Sequence, residues 1–66
     1  MIELWDLLDT IPMHQTMRIY AADGAVLNGK YEDIKAHEHY EDYKHKTIDC
    51  ITPNFEEKIV EINLDD

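Results

Sequence analysis

The sequence predicts an α+β fold, a short N-terminal helix packed on a curved antiparallel sheet of about four strands in the order α-β-β-α-β-β. Three features point there. An apolar stripe at three- and four-residue spacing runs up to Pro12, Asp23-Gly24 stands between two β-favouring runs, and Pro53-Asn54 separates two further alternating runs.

From Ile2 to Ile11, the residues Ile2, Leu4 or Trp5, Leu8 and Ile11 form one stripe, with Glu3, Asp6 and Asp9 on the polar side. Pro12 ends this helix, because proline has no amide hydrogen and excludes the preceding residue from the α region. A helix of about ten residues is marginal alone and has to pack on something. Next, Thr16 to Tyr31 reads as a β-hairpin, since Asp-Gly suits the positive φ angles of a tight turn. Met17, Ile19 and Ala21 then share one face and Arg18, Tyr20 and Ala22 the other. The strand pattern continues to Tyr31, which makes Gly29 a bulge. Tyr31, Ile34, His37, Tyr40 and Tyr43 recur every three residues through a stretch rich in charge and predict a short helix over about Ala36 to Lys44. Thr47 to Thr52 and Glu57 to Leu64 alternate well and form a second hairpin across Pro53-Asn54. An open meander and a small SH3-like barrel both fit this order. A curved sheet or barrel is preferred, because a flat four-stranded sheet of this size leaves its edges exposed.

The chain has 66 residues, enough for a single domain (1–66) with a core near the minimum size. Its 44% hydrophobic content is too high for disorder by composition. With one cysteine, Cys50, no intramolecular disulfide can form, which favours a reducing, cytoplasmic setting. Neither a secretion signal nor a membrane-spanning run is indicated.

Fifteen acids against six Lys and Arg give a formal net charge of −9. Residues 1–29 hold four acids and one base, residues 30–46 five and four, and residues 47–66 six and one. Both ends are acidic while the middle is nearly balanced. Direct binding to a nucleic-acid backbone is disfavoured, because phosphate recognition draws on Lys and Arg. The plain alternative to a functional acidic face is solubility.

His37, His39 and His45 lie among Glu38, Glu41 and Asp42 and invite a metal reading. On one regular helix His37, Glu41 and His45 share a face, but eight residues span about 12 Å, too far for both histidines to hold one ion. His37-Glu38 also lacks the second histidine of a His-Glu-x-x-His motif. A solvated charged face is the better reading, with no metal or other cofactor. Cys50 sits in an apolar alternation and reads as a small core residue rather than a nucleophile. The only glycines, Gly24 and Gly29, make no phosphate loop. An enzyme is thus the least favoured class. Tyr31, Tyr40 and Tyr43 are expected to bury their rings and wet their hydroxyls, whereas Tyr20 lies on the outer face of the first strand and is available to a partner.

The short acidic helix, the Met-Arg-Ile-Tyr-x-x-Asp-Gly hairpin, Asn-Gly-Lys-Tyr-Glu-Asp-Ile, Thr-Ile-Asp-Cys-Ile and the final alternating strand together resemble small uncharacterised proteins carried by phages and mobile elements of Gram-positive bacteria. The likeness covers most of the chain and rests on pattern, so no site residue is carried over. Small acidic phage proteins include inhibitors of host nucleic-acid machinery, among them anti-CRISPR proteins that resemble DNA in charge. The resemblance therefore implies an anti-defence role in the host cytoplasm.

The leading expectation is an acidic module that inhibits a nucleic-acid-binding protein, with Glu38, Glu41, Asp42, Asp49, Glu56, Glu57, Glu61 and Tyr20 at the contact. A second is a homo-oligomer that traps a nucleotide or similar ligand at its interfaces, using Arg18, Lys30 and Lys35. A third is a structural or assembly subunit. Convergence of Arg18 and Lys30 in one cleft would favour the second expectation, and a continuous carboxylate stripe the first.

Overall fold

The computed structural model describes residues 2–65. In chain order it contains α1 (Leu4–Leu8), β1 (Thr16–Tyr20), β2 (Val26–Gly29), α2 (Tyr31–Ala36), α3 (Tyr40–Tyr43), β3 (Thr47–Asn54) and β4 (Ile59–Asp65). The α+β class, the N-terminal helix, both hairpins and the four strands match the sequence reading.

The sheet is open and mixed, in the order β2-β1-β4-β3. Each hairpin is antiparallel within itself, but they meet through β1 and β4, which run parallel with Met17 opposite Val60 and Ile19 opposite Ile62. The all-antiparallel sheet and the closed barrel are thereby corrected. Between the hairpins, α2 and α3 carry the chain from β2 at one edge to β3 at the other, so the second hairpin returns to the centre with β4 parallel to β1. That crossover lays the helices over one face of the sheet.

The core lies between those layers. Leu4 and Leu8 from α1, Met17 and Ile19 from β1, Leu27 from β2, Ile34 from α2, Tyr40 from α3, and Ile62 and Leu64 from β4 form one cluster. Met17, Ile19 and Ala21 share the buried face as their alternation requires.

Four local expectations change. The first helix is shorter than Ile2–Ile11, because Ile2 and Glu3 are drawn into an extended bridge with β3: Ile48 N donates to Ile2 O and Leu4 N to Lys46 O, both at 2.9 Å. Its C-terminal end runs on only as a turn, in which the Thr10 hydroxyl and amide both donate to Leu7 O. Gly29 is the last residue of β2 rather than a bulge, and its φ of 139° turns the chain from strand into helix. The bulge sits instead in β3, between Ile48 and Cys50. Finally, Tyr31 opens α2 rather than ending the strand, and within the range Ala36 to Lys44 expected as one helix only α3 forms, after a break where His37 takes an extended conformation at φ −64°, ψ 136°.

Candidate functional site

No charged side chain is buried among the described residues, so every acid there meets solvent to some degree. Two groups of the expected contact residues emerge. Glu38, Glu41 and Asp42 lie around α3 on the helical side. Glu57 and Glu61 lie with Tyr20 on or beside the sheet face that no helix covers, while Glu56 stands in the β3–β4 turn and Asp49 is the extra residue of the β3 bulge. Five of the seven carboxylates are therefore divided between two faces and the other two lie in the turn and the bulge, so no single stripe joins them.

The two groups differ in how their charge is compensated. On the open sheet face Arg18 Nη2 reaches Glu57 Oε2 at 3.1 Å, and Arg18 Nη1 lies 4.0 Å from Glu61 Oε2. Asn54 Nδ2 donates to the same Glu61 oxygen at 3.1 Å, and Asn54 Oδ1 accepts from Glu57 N. Tyr20 beside it, and then the Glu57 charge, hold the Arg18 guanidinium above its ordinary value. At α3 Lys44 pairs with Glu41 at 2.6 Å, and His39 lies 3.4 Å from both Glu38 and Asp42. These are the Lys and Arg pairs among the described residues, and they leave Glu38, Asp42, Asp49 and Glu56 without one. Glu38 has 83% of its side chain exposed.

The bases of the ligand-trapping expectation are separated within one chain. Arg18 is on β1, facing away from the helices. Lys30 precedes α2 in an open cleft of ≈ 380 Å³ lined with Met13, His14, Glu32 and Asp33. Lys35 lines another, of ≈ 360 Å³, with Trp5, Asp9, Tyr40, Glu41, Lys44 and His45. Its ammonium donates to Tyr31 Oη at 2.8 Å and sits 4.7 Å from that ring, and Tyr31 Oη in turn donates to Asp9 at 3.2 Å. The tyrosine hydroxyl is the main reason the Lys35 ammonium is held above its ordinary value. In the same cleft His45 Nδ1 is 2.8 Å from Glu3 and meets Trp5 edge-on at 6.1 Å between centroids. His45, and then the Trp5 indole N–H, keep the Glu3 carboxyl below the usual range.

Because the helix breaks at residues 37–39, His37, Glu41 and His45 share no helical face. Among the described residues no three His, Cys, Asp or Glu side chains are placed to hold one ion. Cys50 is exposed on β3 rather than part of the core. Its alternation with Ile48 is broken by the intervening bulge, which puts Cys50 opposite Asn63 on the open face. Tyr40 is buried, and Tyr31 and Tyr43 are half-buried with their hydroxyls bonded to Asp9 and Asp23.

Sequence reasoning missed Phe55. It is 85% exposed, the most exposed large apolar side chain among the described residues. The available signal was its place in the turn after Pro53-Asn54, where neither neighbouring strand can draw it into the core. Among the described residues no helix is long and apolar enough to cross a membrane. No protein-family model matches the chain, and no curated protein or solved structure is significantly similar to it.

Proposed function

We propose that this protein is a small acidic binding module that docks on a basic surface of another protein. In its fuller form it is a phage-encoded inhibitor of a host nucleic-acid-binding or defence protein, acting in the host cytoplasm by binding rather than by catalysis. The observation that carries the reading is the surplus of exposed carboxylates over bases: Glu38, Asp42, Asp49 and Glu56 have no Lys or Arg partner among the described residues. Such a field speeds association with a positively charged partner and makes it sensitive to salt.

The ligand-trapping alternative gains nothing from a single chain, in which Arg18, Lys30 and Lys35 occupy separate places. The test is affinity capture from host lysate at about 0.1 M and about 0.5 M salt, over which the Debye length falls from about 10 Å to a few ångströms. It is run beside a variant carrying Glu38→Lys and Asp42→Lys and another carrying Glu56→Lys and Asp49→Lys. A nucleic-acid-binding protein retained at low salt, released at high salt and lost with either variant supports the reading. Capture that ignores both salt and charge reversal rejects it.

A further inference from the structure

We propose that the outer strip of the β3–β4 hairpin, made by Ile51, Pro53 and Val60 with Phe55 at its tip, anchors this protein on an apolar helix face flanked by basic side chains on a partner protein. Resting on the acidic-module reading, the proposal fixes where the partner sits and which side chain meets it.

Ile51 and Pro53 are two residues apart on β3, opposite Ile62 and Val60, and so belong to the face that the helices cover elsewhere. The helical layer stops short of them. From β3 only Ile48, at its start, packs against the core, and Ile51 remains 46% exposed. Pro53, Phe55 and Val60 line one open cleft of ≈ 230 Å³ with Gln15, Asn54, Lys58 and Ile59. A solvated phenylalanine at the end of an apolar strip is a ready hot spot, since aromatic anchors dominate protein interfaces.

The tip is held in place before any partner arrives. Gln15 Nε2 donates to Thr16 O at 2.9 Å and Lys58 O at 3.0 Å, tying the turn to the start of β1, and Asn54 Oδ1 accepts from Glu57 N at 3.2 Å. A fixed anchor loses less freedom on binding than a mobile one.

Charge selects the occupant. Glu56 follows Phe55 directly and, like Asp49 toward the other end of the strand, has no Lys or Arg partner among the described residues, Glu57 being paired with Arg18; Lys58, at the cleft, is the one base in the hairpin. A basic flank complements these acids, whereas a second copy related by two-fold symmetry would set the same carboxylates against each other. Strand-on-strand addition is also disfavoured, because the bulge at Asp49 and the missing amide hydrogen of Pro53 interrupt the free edge of β3. The contact is therefore made by side chains.

The test is an amide-shift NMR titration with a synthetic amphipathic Leu–Lys helical peptide, with a Leu–Glu peptide of the same pattern as control, on the parent protein and on Phe55→Ala. Sedimentation is measured alongside. The expected result is binding of the Leu–Lys peptide alone, with shifts centred on Ile51, Phe55 and Val60. Phe55→Ala should weaken it at least tenfold without moving the urea midpoint, as the side chain is outside the core. Salt-sensitive binding centred on Glu38, Glu41 and Asp42 and indifferent to Phe55→Ala would overturn the anchor and leave the acidic-module reading standing. Failure of the Leu–Lys peptide to bind, or equal binding of the Leu–Glu peptide, would overturn both. A dimer dispersed by Phe55→Ala would overturn the choice of occupant.

Discussion

Gly29 and Gly24 both have positive φ, 139° and 96°, yet their surroundings differ. A Cβ on Gly29 would stand 2.5 Å from Asp33 Cβ, and Asp33 is held there by accepting the Lys30 amide at 3.1 Å. A Cβ on Gly24 meets nothing within 4 Å. Gly29→Ala should therefore cost about 3 kcal/mol and Gly24→Ala nearer 1 kcal/mol, the latter from backbone strain alone; urea midpoints of the two variants check the order. A second residue-scale contact, Tyr43 Oη donating to Asp23 Oδ2 at 2.7 Å, gives a pH signature. Tyr43, and then the Ala25 amide, hold the Asp23 carboxyl below its ordinary value, while Asp23 pushes the Tyr43 phenol up. The carboxylate's contribution to stability is complete above the unfolded-chain value near 3.9 and disappears as pH falls through the lowered folded value. The phenol's contribution is present below about pH 10 and disappears as pH rises through its raised value. In Tyr43→Phe the carboxyl titration of Asp23, followed by NMR, should move back up toward the ordinary value, and the alkaline loss should shrink.

At the scale of elements, neither the five-residue α1 nor the four-residue α3 would persist as an isolated helix. Packing holds them. Leu4 and Leu8 are fully buried, and α1 is tied to the segment before β3 through Leu4 N to Lys46 O and Trp5 N to Lys44 O. Leu8→Ala should cost about 2–5 kcal/mol. A chain of this length has a total stability of only about 3–10 kcal/mol. Thermal unfolding followed by Trp5 fluorescence should accordingly show a large fall in midpoint or no cooperative transition. The break between α2 and α3 also has a packing reason. At about 100° per residue, six residues would set Ile34 and Tyr40 about 120° apart on one straight helix. Interrupting the helix at His37–His39 lets both side chains enter the core.

Across the whole molecule, a net charge of −9 is confined to a body of 27 × 22 × 21 Å. At about 0.01 M salt the Debye length of about 30 Å exceeds these dimensions, so the acids repel one another throughout; at about 0.15 M it is about 8 Å. Moderate salt should stabilise the isolated protein even as it weakens binding to a basic partner. A urea midpoint that rises between about 0.01 M and 0.15 M sodium chloride, measured beside an affinity that falls, would establish this opposition. A midpoint indifferent to salt would show that the carboxylates are too far apart to strain the fold.

What the sequence determined by itself was the local architecture. Asp23-Gly24 demanded a turn with positive φ, the alternation of Met17, Ile19 and Ala21 chose the buried face of β1, and the four-residue spacing of Leu4 and Leu8 chose the buried face of α1. Each signal is written within a few residues, where sterics and side-chain period decide. The tertiary structure decided how those pieces met. The parallel pairing of β1 with β4, the loss of Ile2 and Glu3 from α1 to an extended bridge, the break at His37 and the exposure of Cys50 beyond a bulge all depend on partners far along the chain. The candidate surface divides in the same way. Its acidity was legible as composition, but the separation of the acids onto two faces, the neutralisation of Arg18 by Glu57 and Glu61, and the projection of Phe55 past the helical layer followed from the sheet order β2-β1-β4-β3. That order is set by burying the most apolar surface between non-local elements, a global condition that no local pattern contains.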